Sequence, residues 1–134
     1  MSDLPRIFLT RELPPATMKR LRESSQLTMN HEDRSLSKQE LLEGLKGVDG
    51  LLCQLTDIID DEVLAINPNL KVVSNYAVGF NNVDVAAATK RKIAVTNTPG
   101  VLSDSTADMA WALMFAVARR VVEGDRFVRG GHWD

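Results

Sequence analysis

Three short stretches hold residue types able to grip a small polar ligand: Leu55-Thr56-Asp57, Tyr76-Ala77-Val78-Gly79-Phe80-Asn81-Asn82 and Asn97-Thr98-Pro99-Gly100. Each follows a short apolar run, and in an open parallel sheet ligands bind outside the carboxyl ends of the strands. In the second stretch Gly79 lets the backbone approach a ligand closely, and consecutive amides there can converge on an anion. A helix expected to open at Asp84 adds the positive end of its dipole. The same spacing also fits a tight strand-to-helix turn that needs positive φ at Gly79, and spacing alone favours that turn over an anion site. Thr56 and Asp57 read equally well as turn and cap residues.

Other reactive side chains are expected to be structural. His31 sits in the polar His31-Glu32-Asp33-Arg34 connection and His132 near the last residue, so both read as surface residues. Cys53 alternates with buried strand positions and reads as a small core residue. Asp60-Asp61 reads as a helix start, with no further ligand at metal-binding spacing. The chain has no Gly-x-Gly-x-x-Gly. Its nearest glycine pairs, Gly47/Gly50 and Gly130/Gly131, do not follow a strand and open a helix, so the dinucleotide phosphate turn is missing.

The elements that must position these loops alternate between strand and helix, the pattern of βαβ units closing a parallel sheet. Strands are expected at 6–10, 26–29, 48–54, 70–74 and 93–96. Pro14-Pro15 can open a helix whose inner face is Met18, Leu21 and Ala16 and which ends near Ser24. Ser37-Lys38-Gln39-Glu40 is a capping box before a helix with Leu41, Leu42 and Leu45 buried and Gly47 closing it. A short helix from Asp61 is stopped by Asn67-Pro68, and one from Asp84 to Arg91 buries Val85 and Ala88. Past Pro99-Gly100 a long helix is expected through Thr106, Met109, Leu113, Val117 and Val121, then a second stretch from Glu123 to Arg129. From Met109 to Ala118 every residue is apolar, and such a helix must be covered on all sides.

With 134 residues, 44% hydrophobic and 25% charged, the chain fits a soluble globular class. Sixteen basic against eighteen acidic residues, with no basic stripe, argue against a nucleic-acid partner. The ten apolar residues 109–118 fall short of a membrane span, and Met1-Ser2-Asp3-Leu4-Pro5 does not read as a leader. A single cysteine fits a reducing, cytoplasmic setting.

The run Leu70-Lys71-Val72-Val73-Ser74-Asn75-Tyr76-Ala77-Val78-Gly79-Phe80-Asn81-Asn82-Val83-Asp84, followed by Ile93-Ala94-Val95-Thr96-Asn97-Thr98-Pro99-Gly100, closely resembles the N-terminal part of the D-isomer-specific 2-hydroxyacid dehydrogenases. Val101 to Asp108 and the Ala-rich helix ending in Ala118-Arg119-Arg120 are most similar to the glyoxylate and hydroxypyruvate (glycerate) reductase branch. The resemblance implies an α/β chain: a flavodoxin-like substrate domain over residues 1–98, then a hinge and the long crossing helix that begins a Rossmann nucleotide domain over 99–134. It implies a substrate carboxylate held by the backbone amides of Val78 and Gly79, Leu55 lining the pocket, and Thr106 near the cofactor. With the resemblance, the anion reading of Gly79 is preferred over a bare turn. Asn81 stands where many members carry Asp, and both suit a turn.

The activity implied is NAD- or NADP-dependent reduction of small 2-oxo acids to 2-hydroxy acids. The family's glycine turn and its catalytic arginine, glutamate and histidine come later than the part matched here, and Val128-Arg129-Gly130-Gly131 is not the arginine motif. The 134 residues alone are therefore expected to be inactive and to hold no cofactor tightly. A competitor in fold terms, a flavodoxin-like phospho-receiver with Asp57 as phosphoacceptor, lacks the acidic pair after the first strand, where Thr10-Arg11-Glu12 offers one acid. A binding or assembly module without catalysis is the remaining alternative. Self-association through the 103–129 helix is expected on either reading.

Overall fold

The computed structural model describes residues 4–132. The chain divides into two compact units, Met1–Pro99 and Gly100–Asp134.

The first unit is a five-stranded, all-parallel sheet flanked by helices, in the order β1 (Arg6–Leu9), α1 (Pro15–Ser24), β2 (Gln26–Met29), α2 (Lys38–Gly44), β3 (Gly50–Gln54), α3 (Asp61–Ala65), β4 (Val72–Tyr76), α4 (Val85–Lys90) and β5 (Ala94–Thr96). The strands lie in the order β2-β1-β3-β4-β5. The chain first steps outward from β1 to β2 and then returns past β1 towards β5. Because parallel crossovers are right-handed, that reversal puts α1 on one face and α2, α3 and α4 on the other. Two cores follow. Leu9, Leu13 and Met18 form one with partly buried Leu21, Leu27, Met29 and Leu52. Phe8, Leu41, Leu45, Leu51, Cys53, Val63, Leu64, Val73, Ala87 and Ala88 belong to the other.

Local chemistry explains most element ends. Pro15 opens α1, where its missing N–H costs nothing. The Ser37–Glu40 capping box forms: the Glu40 amide donates to Ser37 Oγ at 3.3 Å and the Ser37 amide to Glu40 Oε2 at 2.8 Å. Arg34 also pairs with Glu40, and this guanidinium, with the two Ser37 contacts, holds the Glu40 carboxyl well below its ordinary range. Asp60 caps α3 through the Val63 amide at 3.0 Å, and Asp84 caps α4 through the Ala87 amide at 2.8 Å. Gly47, at φ 72°, makes the left-handed turn after α2.

Several sequence expectations shift. β3 starts at Gly50 and β4 at Val72; Val48 and Leu70 are buried ahead of their strands, as core plugs rather than ladder residues. β4 also runs on to Tyr76, because Gln54 and Tyr76 still pair. Ala16 faces solvent on α1, leaving Met18 and the half-buried Leu21 as its inner face. On α4 the buried pair is Ala87 and Ala88, not Val85 and Ala88: with the cap at Asp84, Val85 falls on the first turn's outer side.

The second unit is two helices, α5 (Ser103–Ala118) and α6 (Val121–Arg129). The expected continuous path to Val121 is broken at Arg120, whose backbone is left-handed at φ 51°. No glycine or proline marks that break in sequence. Arg120 instead turns to pair with Glu123 in the first turn of α6, and Val121 belongs to α6. No side chain of α5 or α6 is buried. Among the described residues no helix is long and apolar enough to cross a membrane.

Candidate functional site

β3 and β4 pair in parallel with Gln54 opposite Tyr76, so the loops that follow them leave the sheet side by side. Asn82 ties the two loops together. Its Nδ2 donates to the carbonyls of Gln54 at 3.1 Å and Asp57 at 2.9 Å, and its own carbonyl accepts from the Ile59 amide at 2.8 Å. Leu55 and the Val78-Gly79 pair are thereby brought to the same end of the sheet, Leu55 at 56% exposure and Val78 at 37%.

The 77–79 segment is held from behind at each carbonyl in turn. The Thr98 amide donates to Ala77 O at 2.9 Å, Asn97 Nδ2 to Val78 O at 2.7 Å and Asn75 Nδ2 to Gly79 O at 2.9 Å. Against this, no acceptor among the described residues takes the amides of Val78, Gly79 or Phe80. Gly79 is not in the left-handed region, which overturns the positive-φ turn. A Cβ there would meet only Asn81 Oδ1, at 3.1 Å. The helix dipole does not join the site either, since Asp84 already fills the start of α4. The loop's own free amides are what an anion would meet.

Beneath the loops lies a polar network that sequence reading missed. Asn75 is 1% exposed; its Nδ2 also donates to Asn82 Oδ1 at 2.9 Å, while its Oδ1 accepts from Asn82 Nδ2 at 3.3 Å. A signal for it exists: Val73, Asn75 and Cys53 share the inward parity of their strands, and a buried amide at such a position must have partners. Asp57 is also buried, accepting from Thr10 Oγ1 at 2.5 Å and from the Gln54 amide at 2.8 Å. It is a fastening between the ends of β1 and β3, and its burial removes it as an exposed phosphoacceptor. Cys53 Sγ lies 3.5 Å from Asn75 Oδ1, and burial, with the Asp57 charge adding, pushes its thiol up to about 12. It is no nucleophile.

His31 and His132 are exposed. Among the described residues no group of three or more His, Cys, Asp or Glu is placed to hold a metal ion. Thr106 belongs to the second unit, in the first turn of α5, where its amide donates to Leu102 O at 2.9 Å. A groove of about 510 Å³ lies between β2 and α2, lined by Phe8, Met29, Glu43 and Lys46 among others, away from the Val78-Gly79 loop.

Comparison with known proteins decides the family. The family described as D-isomer specific 2-hydroxyacid dehydrogenase, catalytic domain, matches residues 7–123. The chain belongs to the D-isomer-specific 2-hydroxyacid dehydrogenases. A glyoxylate reductase of Korarchaeum cryptofilum is 50% identical over 129 residues, which is 96% of this chain and 39% of that protein. The chain thus spans about two fifths of the length of the curated relatives it matches. Among solved structures, a protein of Thermus thermophilus is similar with a TM-score of 0.86 and 46% identity, over 96% of this chain and 42% of that one. An NADPH-dependent glyoxylate/hydroxypyruvate reductase of Sinorhizobium meliloti, solved in complex with NADP and malonate, has a TM-score of 0.72 and 29% identity, over 96% and 39%. The five-stranded parallel sheet is the substrate-domain fold of this dehydrogenase family.

Proposed function

We propose that the chain supplies the substrate-binding part of an NAD- or NADP-dependent reductase of small 2-oxo acids, glyoxylate and hydroxypyruvate being the favoured substrates. The free amides of Val78 and Gly79 carry this reading. A small 2-oxo acid has one permanent charge, its carboxylate, and two backbone donors answer it without a charged side chain to desolvate. Held there, the acid has its keto carbon fixed relative to the sheet end, and Leu55 offers apolar surface to one side of it. On this reading residues 1–98 form the substrate domain and 99–134 the hinge and first helices of a nucleotide domain. Thr106 is carried over by resemblance as a cofactor contact. The hydride donor and the acid–base groups come from outside these residues.

Two arms test this. A chimaera in which these residues replace the matching segment of the Korarchaeum cryptofilum glyoxylate reductase should oxidise NADH or NADPH when glyoxylate is added, while the 134-residue polypeptide alone should not. A folded chimaera without turnover, or turnover by the rigorously purified polypeptide alone, contradicts the proposal.

Self-association belongs to the same reading. The large apolar side chains of α5 include Trp111 at 58% exposure and Phe115 at 61%, with their rings stacked 5.8 Å apart. A second copy of this helix, related by a two-fold axis, would cover them.

A further inference from the structure

We propose that Asn97 and Asn75 are positioning residues for the anion-binding amides, a role that rests on the carboxylate reading above. A trans peptide is planar, with its C=O and N–H pointing in opposite directions. Fixing the carbonyl of residue i therefore fixes the amide of residue i+1. The Val78 carbonyl is held by Asn97 Nδ2 at 2.7 Å, and the amide it shares a plane with is that of Gly79. The Gly79 carbonyl is held by Asn75 Nδ2 at 2.9 Å, and its plane carries the Phe80 amide. The Ala77 carbonyl is held by the Thr98 backbone amide at 2.9 Å, which aims the Val78 N–H.

Three successive peptides are thus anchored on the strand side, and their amides are turned away from the anchors. The three anchors differ in kind. Thr98 uses backbone and comes with the end of β5, whereas Asn97 and Asn75 use side chains that can be exchanged. Asn75 has no spare capacity: its amide and carbonyl are shared among Gly79, Asn82 and Cys53. Asn97 is half-buried, and among the described residues its Nδ2 has the Val78 carbonyl as its partner. It orients Gly79, the residue at the centre of the site, and touches no substrate itself. Asparagine suits both places because a neutral amide donates to a carbonyl without bringing a charge beside the bound anion.

The clamp and the site have separate readouts in the full 134-residue chain. Without any ligand, the ¹⁵N order parameters of Val78, Gly79 and Phe80 should be those of rigid backbone, and Asn97→Ala should bring Gly79 below about 0.6 while the thermal transition stays. Oxalate, followed by amide shifts, should then bind about fivefold more weakly to Asn97→Ala, the loss expected for one net hydrogen bond. Asn97→Asp, which keeps the shape and puts a carboxylate against the Val78 carbonyl, should not rescue either readout. Asn75→Ser reports on Phe80 in the same way, and Asn97→Ala remains informative if the buried variant fails to fold. Order parameters and affinity both unchanged in Asn97→Ala overturn the clamp. Order parameters that fall while the parent chain never responds to oxalate uphold the clamp and overturn the carboxylate site.

Discussion

The two units of the chain solve burial differently. In residues 4–99 the core side chains are inside: Leu9, Leu45, Leu51, Ile59 and Val73 are at most 1% exposed. In α5 the equally large Met109, Trp111, Leu113, Met114 and Phe115 are all more than half exposed. The first unit has two helical layers for one sheet. From Met109 to Ala118 α5 is apolar all round, and a helical stretch of that kind asks for neighbours on every side. Fully burying one such side chain contributes roughly 1.5–3 kcal/mol, so leaving half the set in water forfeits on the order of 4–8 kcal/mol, comparable to the stability of a small domain. Side-chain exposure therefore separates a unit with its own buried core from one whose apolar helix is left uncovered.

The sharpest way to break this comparison is to make one substitution in both places. Leu45→Ala should cost about 2–5 kcal/mol in urea unfolding, because Leu45 is fully buried and the site cannot fully collapse. Leu113→Ala should cost under about 1 kcal/mol in dilute monomer and more at concentrations where α5 self-associates. Equal costs at every concentration would erase the distinction. Exchanging Trp111 and Phe115 for polar residues should dissociate the assembly in light scattering; a parent chain that is a stable monomer at micromolar concentration, with Trp111 buried by fluorescence, would sink the self-association.

Gly44 and Gly124 give a second paired test. A Cβ at Gly44 would run into the Phe8 ring, whereas one at Gly124 in α6 meets open space. Gly44→Ala should destabilise by about 1–3 kcal/mol through overpacking. Gly124→Ala should stabilise α6 by several tenths to about 1 kcal/mol through helix propensity. Removing the α2 cap with Ser37→Ala should cost about 1 kcal/mol.

Titration separates the interior from the rim of the first unit. Cys53, raised from 9.0 to about 12, favours the folded state fully below its ordinary value and loses that contribution as pH rises from 9.0 through about 12. Alkylation of Cys53 in native protein should accordingly be slow at pH 8 and fast in urea. Asp49 runs the other way. The Lys71 ammonium, with the Arg6 amide, holds its carboxyl at about 2, so its contribution is present above 3.8 and fades as pH falls towards 2. Asp49→Asn should flatten the acid limb between those values, and an unchanged limb would show the pair to be inert.

Much of this architecture is legible in sequence because it depends on local rules. Alternating strand residues, the Ser37–Glu40 box and the Pro15 and Gly47 helix ends each leave a short signature. The break at Arg120 leaves none, since no glycine, asparagine or proline stands where the backbone turns left-handed. At the candidate site the same division holds. Gly79 marks the loop in sequence although its backbone needs no positive φ, and the family motif around it points to an anion. The carbonyls that orient its amides are held by Asn97 and Thr98, reaching across from the end of β5, and by the buried Asn75, and none of these bonds is announced by the spacing around Gly79. Asp57 reads as a turn residue in sequence for the same reason, because its partner Thr10 lies 47 positions away.

The central claim is that the Val78-Gly79 amides receive a carboxylate, and the most direct measurement is a ¹H–¹⁵N correlation titration of the labelled chain with oxalate. The account predicts saturable shifts that begin at Val78, Gly79 and Phe80 at millimolar oxalate, with Leu55 following and the His31 region still. Shifts confined to the His31 region, or none at Val78 and Gly79 at saturating oxalate, would contradict it.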